Sequence, residues 1–176
     1  MTSDEYLYST FETTRPRELA YSIVREPPAP FFSHQRIVLL LAASLVDHVE
    51  RRNLGQVAVA PLDVILDRER SLIVQPDVLF IARNRFSIID KQVWGAPDLV
   101  VEVLSPATEQ HDRVEKLGWY RDYGVREYWL VDGHAETVTV VDFTGREPAR
   151  RTAHAFSLID STVLPDLRLG VSRLIS

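Results

Sequence analysis

Two acids and a lysine carry the chemistry that this sequence offers. Glu102 interrupts the otherwise wholly apolar run Leu99-Val100-Val101-Glu102-Val103-Leu104, and Asp77 lies within Leu72-Ile73-Val74-Gln75-Pro76-Asp77-Val78-Leu79-Phe80-Ile81. Continuous aliphatics of this kind read as a strand buried on both faces. A carboxylate there costs roughly several kcal/mol in lost hydration unless a cation or a metal meets it. Lys116 falls on the helix expected after the Glu102 strand, beside Asp112, Arg113 and Tyr120 by i±3 and i±4 spacing. Two acids embedded in hydrophobic strands, with a lysine on a following helix, suggest a metal-dependent hydrolase.

Strand geometry sharpens the suggestion. Side chains two apart share a face, so Glu102 points with Asp98, Val100 and Leu104, and Asp77 with Gln75 and Leu79. If the two strands are neighbours, Asp77 and Glu102 converge on one hard cation, Mg²⁺ or Mn²⁺, with the Val103 carbonyl and waters completing its oxygen shell. Such a cation lowers the pKa of bound water and neutralises charge building on a phosphate. Lys116 would orient or activate the attacking water, or stabilise charge at phosphorus.

Each of these residues also has a plainer reading. Asp77 could start a strand after proline and bond local amides. Glu102 could pair with a buried arginine, and Lys116 could be a solvated helix lysine. His34 reads as a helix-start residue or core hydrogen-bond donor that could also contact a phosphate. Gln75 shares the face of Asp77 and could line a cleft, while Asp98 most simply starts its strand after Pro97. Arg113, with Arg83 and Arg85, could rim a phosphate site or simply be solvated. Trp94, Trp119, Tyr120, Tyr128 and Trp129 read as core or interface aromatics.

The elements that must position these residues follow from periodicity and breakers. Residues up to about Pro16 are polar with scattered aromatics and read as an arm or loose cap. Leu19 to Arg25 reads as a strand closed by Pro27-Pro28-Ala29-Pro30. Ser33 is a plausible N-cap for a long helix to about Arg52, with Ile37, Leu41, Leu45 and Val49 as its apolar stripe and Asn53 and Gly55 ending it. Val57 to Leu66 and Leu72 to Ile81 form an antiparallel hairpin across the charged Asp67-Arg68-Glu69-Arg70-Ser71. A loop with a short helix follows, then the strand Asp98 to Leu104. A helix capped by Thr108 runs to Tyr123 with Gly124 as its terminal glycine. Arg126 to Val131 and Thr137 to Phe143 are strands joined by a turn at Asp132-Gly133-His134. The tail from Arg150 holds one more strand and a short helix. Helix, three strands, helix, strand is an α/β order with mixed pairing.

Size and composition set the frame. A chain of 176 residues, 45% apolar and 26% charged, fits one soluble domain with a sizeable core. With no cysteine, disulfides, thiolate metal sites and a cysteine nucleophile are excluded. No apolar stretch is long enough for a membrane span, and Met1 to Glu5 lacks the features of a signal peptide, so a cytoplasmic protein is expected. The net charge of -5 argues against indiscriminate coating of nucleic acid but allows a local basic groove.

Three blocks then carry a resemblance. They are Val74-Gln75-Pro76-Asp77-Val78-Leu79-Phe80, Ala96-Pro97-Asp98 through Ser105-Pro106, and Lys116-Leu117-Gly118-Trp119-Tyr120 with Gly124-Val125-Arg126-Glu127-Tyr128-Trp129-Leu130-Val131-Asp132. Together they resemble the Uma2 family (DUF820) of restriction-endonuclease-like proteins, from about Leu19 to the C-terminus. That family is placed in the PD-(D/E)XK nuclease superfamily. The resemblance implies a restriction endonuclease-like α/β fold whose core is helix, three strands, helix and strand. A mixed central sheet would carry added N- and C-terminal strands, with residues 1–16 as an arm and 17–176 as a single domain. It further implies that Pro76-Asp77 is the Pro-Asp element and Glu102 the second acid. Leu104 stands where the superfamily lysine ordinarily falls, and Lys116 looks like the migrated lysine of this family. His34-Gln35 matches the family's His-Gln at the start of the long helix. One departure stands out: where many relatives carry Gly-Glu in the first strand, this chain has Tyr21-Ser22, with Glu26 on the same strand face as Ser22.

The implied activity is Mg²⁺- or Mn²⁺-dependent hydrolysis of DNA phosphodiester bonds, with Asp77, Glu102 and the Val103 carbonyl on the metal and Lys116 on the attacking water. His34, Gln75, Asp98 and Arg113 would support them. The alternative is a nuclease fold kept as a non-catalytic DNA-binding or oligomerising module. A strand such as Thr137 to Phe143, if it lies at a sheet edge, could support a homodimer.

Overall fold

Packing reaches the N-terminus of the chain. The computed structural model describes residues 1–8 and 16–175. Helix α1 (Ser3–Leu7) opens with a capping box, Thr2 bonding the Glu5 amide and Glu5 bonding the Thr2 amide. Tyr6 is buried, and its hydroxyl donates to the Arg17 carbonyl at 2.6 Å. Where the sequence suggests an arm, this short helix is therefore anchored; residues 9–15 of that arm lie outside the described residues.

The first expected strand is two, β1 (Glu18–Ala20) and β2 (Ile23–Arg25), paired antiparallel. Tyr21 and Ser22 form the turn between them at φ 49° and 74°. They therefore lie on no strand face, and Glu26 cannot share one with Ser22. Helix α2 (Phe32–Arg52) starts one residue before the expected Ser33 cap, with Phe31 in the cap position and no side-chain cap bond. Its predicted stripe is buried throughout: Ile37, Leu41, Leu45 and Val49. Asn53 ends it in the left-handed conformation at φ 53°.

The predicted long hairpin exists but is cut in two. Its arms become β3 (Gly55–Val59) with β4 (Val64–Asp67), and β5 (Leu72–Val74) with β6 (Val78–Ala82). Val59 still faces Val78, and Val64 still faces Val74. Between these pairs fall Pro61 and Pro76, which have no amide to give to a ladder. The arms diverge there, β4 and β5 into one sheet and β3 and β6 into another.

Strand β7 (Val93–Trp94) joins the first sheet, and β8 (Leu99–Val103) the second. After β8 the chain does not run as one α-helix from Thr108. His111–Lys116 is π-helical and leads into α3 (Leu117–Asp122). The Ser105 carbonyl accepts from both the Thr108 and Glu109 amides and so heads this helical stretch. Gly124 closes it at φ +91°, a conformation that L side chains rarely adopt. Strands β9 (Glu127–Asp132), β10 (Thr137–Asp142) and β11 (Ala149–His154) and helix α4 (Val171–Ile175) complete the chain.

The result is two mixed sheets, ordered β2-β1-β5-β4-β7 and β11-β10-β9-β8-β6-β3. The larger sheet is the middle layer. Helices α2 and α4 pack on one of its faces against Val78, Phe80, Leu99, Val101, Val103, Trp129 and Val131. The smaller sheet, with Tyr120 of α3, covers the other face against Leu79, Ile81, Val100, Tyr128 and Leu130. Every residue of β8 is buried, which explains its unbroken aliphatic run. The core order α2, β3, β6, β8, α3, β9 is the predicted one. Strand β10 is paired on both sides, by β9 and β11, so Thr137 to Phe143 is no sheet edge and gives no support to a homodimer.

Candidate active site

Strand β6 lies antiparallel to β8 with Val78 facing Val101, which brings Asp77, the residue before β6, opposite Glu102. Both acids therefore stand at the same end of the central sheet, but their carboxylates are held by different partners instead of converging on one point. Asp77 Oδ2 accepts the Val103 amide at 2.8 Å and lies 3.2 Å from His34 Nε2, carried on the first turn of α2. Burial works against a charged His34. The hydrogen bond and charge of Asp77 and the Val103 carbonyl outweigh it, and the imidazole's pKa is raised above its ordinary value.

Glu102 is turned the other way. Its Oε1 accepts from Lys116 Nζ at 2.8 Å and from the Tyr120 hydroxyl at 2.9 Å. The expected approach of Lys116 to Glu102 is thus present, although Leu104 occupies the usual lysine position. The same Nζ lies 2.9 Å from Glu18 Oε1 and 3.5 Å from Asp112 Oδ1. All four side chains are buried, Lys116 at 5% exposure and Glu102 at 4%.

One ammonium thus faces three carboxylates. Burial drives the Glu102 pKa well above the ordinary carboxylate range; Lys116 opposes this, and the charges of Asp112, Asp77 and Glu18 add to it. Asp112 is raised as well, chiefly by burial. Glu18 goes the other way, to about 2: burial opposes its charge, but Lys116, His111 and the Gln75 amide overcome that. Lys116 is raised well above its usual value, because the carboxylates outweigh its own desolvation. The cluster is short of positive charge.

Glu18 is the member that sequence reasoning missed. The position compared with the relatives' Gly-Glu was Tyr21-Ser22, but these form the turn, and the carboxylate beside Lys116 comes from the start of β1. An acid heading the apolar pair Leu19-Ala20 was the available signal, the same kind of anomaly as Glu102. Tyr120 and Tyr128, read as core aromatics, are fully buried, yet they also serve the cluster. Tyr120 donates to Glu102, and Tyr128 donates to the Asp112 carbonyl at 3.1 Å. The π-helical turn presents Asp112 and Lys116 to the same interior, a type of helix defect often found at functional sites.

The supporting residues divide. His34 reaches the site through Asp77. Gln75 contributes its backbone amide, which donates to Glu18 Oε1 at 3.0 Å, while its side chain bonds Asp63 and the Arg17 amide. Asp98 is not brought in: it lies at the other end of β8, bonded to the Ala82 amide and flanked by Arg85 and Arg126. Arg113 is not brought in either, pairing with Glu109 and Asp132. Arg83 bonds Asn53 and Arg85 pairs with Asp98, so neither joins Arg113 in a rim around the acids.

The residues fit a hard divalent cation. Two carboxylates and a backbone carbonyl are all-oxygen donors, and Mg²⁺ needs no more than one or two carboxylates. Among the described residues, no three His, Cys, Asp or Glu side chains stand together at ligand spacing. Also among the described residues, no helix is long and apolar enough to cross a membrane.

Known proteins agree with this architecture. The crystal structure of "a putative nuclease belonging to DUF820 from Anabaena variabilis ATCC 29413" superposes with a TM-score of 0.83 at 19% identity, covering 99% of this chain and 97% of that one. At that identity the likeness is one of fold. No curated protein gives a significant match. The family profile Uma2, described as "Putative restriction endonuclease", matches residues 5–172. A match along nearly the whole chain, over a fold shared with a DUF820 structure, makes this protein a member of the Uma2 family.

Proposed function

We propose that the protein is a Mg²⁺- or Mn²⁺-dependent endonuclease of the PD-(D/E)XK type that hydrolyses DNA phosphodiester bonds in the cytoplasm. The observation that carries this reading is the buried surplus of carboxylates around Lys116, which a divalent cation would balance. Asp77, Glu102 and the Val103 carbonyl would hold the metal. When bound, it would acidify a coordinated water and neutralise charge on the scissile phosphate.

The chain's own residues do the rest. His34 fixes the Asp77 carboxylate, and Glu18 and Glu102 keep Lys116 charged. The ammonium has three N–H groups, and Glu18 and Glu102 take two of them. The third, facing Asp112 at 3.5 Å, is the one available to orient water or a phosphate oxygen.

The test is cleavage of plasmid DNA with Mg²⁺ or Mn²⁺ by the purified protein. Cutting by the parent, lost in Glu102→Ala and Lys116→Ala, is the expected result. No cutting by the parent, or equal cutting by the variants, defeats the proposal. A second reading, a catalytically silent DNA-binding or oligomerising module, draws on the engagement of the nearly inaccessible Nζ by two carboxylates. Calorimetry separates the two: absence of divalent-metal binding alongside an intact DNA complex or dimer supports the second.

A further inference from the structure

A second polar site lies at the far end of β8. Asp98 precedes Glu102 by four residues, about 13 Å along an extended strand. Buried Asp98 is shared by two guanidiniums, Arg85 Nη1 at 3.3 Å and Arg126 Nη1 at 3.4 Å, both on the same Oδ1. One carboxylate thus serves two cations there. Arg126 also lines a cavity of about 200 Å³ between the end of α3 and the loop from β10 to β11, together with Arg121, Gly124, Phe143, Gly145 and Arg146. Arg121 is paired with its exposed neighbour Asp122, while Arg146 has no acidic partner among the described residues. Among the described residues, no carboxylate lines the cavity itself, although Glu147 belongs to the same loop.

We infer that this cavity binds a phosphate group, the Arg126, Arg146 and Arg121 guanidiniums receiving its oxygens. Arginine presents paired donors that match phosphate geometry. The two glycines, at the helix end and in the loop, let a ligand approach the backbone without a side chain in the way. The volume is below the roughly 300 Å³ at which pockets for whole drug-sized ligands begin. The site therefore takes a phosphate, with the rest of its carrier outside. The carrier is either a nucleic-acid strand or a free phosphomonoester. Nothing in this inference depends on the catalytic reading of Asp77, Glu102 and Lys116.

The experiment is an amide NMR titration of the full chain, first with inorganic phosphate and then with a single-stranded oligonucleotide lacking terminal phosphates. Phosphate is expected to shift the Gly124 and Gly145 amides in the millimolar range. Arg146→Gln is expected to weaken this by about tenfold, with Arg173→Gln as a surface control that leaves it unchanged. Glu102→Gln should bind phosphate like the parent, so failure of the nuclease proposal would not touch this one. Shifts of the same amides by the oligonucleotide identify a strand as the carrier, and shifts by phosphate alone identify a phosphomonoester. No shift at Gly124 and Gly145 with either probe, or equal binding by Arg146→Gln, overturns the inference.

Discussion

Replacing Lys116 by methionine removes the ammonium shared by Glu18, Glu102 and Asp112 while keeping most of its buried stem. In the parent, Nζ sits 2.8 Å from Glu102 and 2.9 Å from Glu18, at 5% exposure of the residue. Removing one partner of a buried pair costs about 3–5 kcal/mol, because the other charge is left uncompensated. Two carboxylates lose a close contact here, so the upper half of that range is expected. A chain of this size changes stability by about 0.4 kcal/mol per degree near its midpoint. Lys116→Met should therefore lower Tm by about 10 °C at pH 7.

The deficit also has a pH signature. Glu102 and Asp112 already bind protons more readily than unfolded carboxylates, and Lys116 is what restrains them. A group whose pKa is raised on folding contributes stability below its unfolded value and loses it as pH rises through the folded value. Without Lys116 both acids shift further upward, so the deficit should be smaller at pH 5 than at pH 8. Adding Glu102→Gln to Lys116→Met should recover part of the loss by removing one of the crowded charges. Calorimetric or urea unfolding across that pH range measures all three effects. A single variant within about 1 kcal/mol of the parent, with a deficit independent of pH, would refute the electrostatic account.

Three further outcomes follow from the same cluster. Glu18→Gln should flatten the acid limb of the stability curve: Glu18 falls to about 2 on folding, so it supplies about 3 kcal/mol that is present above the unfolded value and lost as pH falls toward 2, read by urea unfolding between pH 5 and 2. His34→Leu should remove a contribution of the opposite sign, since its raised pKa stabilises below about 6.5 and fades as pH climbs through the folded value; parent and variant unfolding curves should converge above that range. Tyr120→Phe loses a bond to a buried carboxylate and should cost about 2 kcal/mol, near 5 °C in Tm, with no change in the six-stranded sheet by circular dichroism.

The legible parts of this chain were those written in periodicity and in anomalies. The stripe of α2 and the aliphatic run of β8 gave their layers directly, because burial on one face or two leaves a mark on every residue. The division of the hairpin into two sheets was less legible. Pro61 and Pro76 were visible, but only the paired register shows that the two breaks fall opposite one another and let the arms part. The π-helical turn at His111–Lys116 had no sequence signature, since its only aliphatic residue, Val114, is exposed and leaves no apolar period to be broken. The status of β10 depended on where the tail returned, a long-range fact that local pattern does not hold.

Glu18 marks the deeper limit. Comparison by position placed the first-strand acid at Ser22, yet a buried ammonium does not read sequence positions. It requires only that negative charge arrive within hydrogen-bond reach. The start of β1 meets that requirement because β1 pairs with β5, whose following residue, Gln75, gives its amide to the Glu18 carboxylate. The same link leads, two residues on, to Asp77. One short segment, Val74 to Val78, thus orients an acid from β1 and supplies another from its own chain. A substitution that shifts this segment should disturb both acids together, even where neither is itself altered.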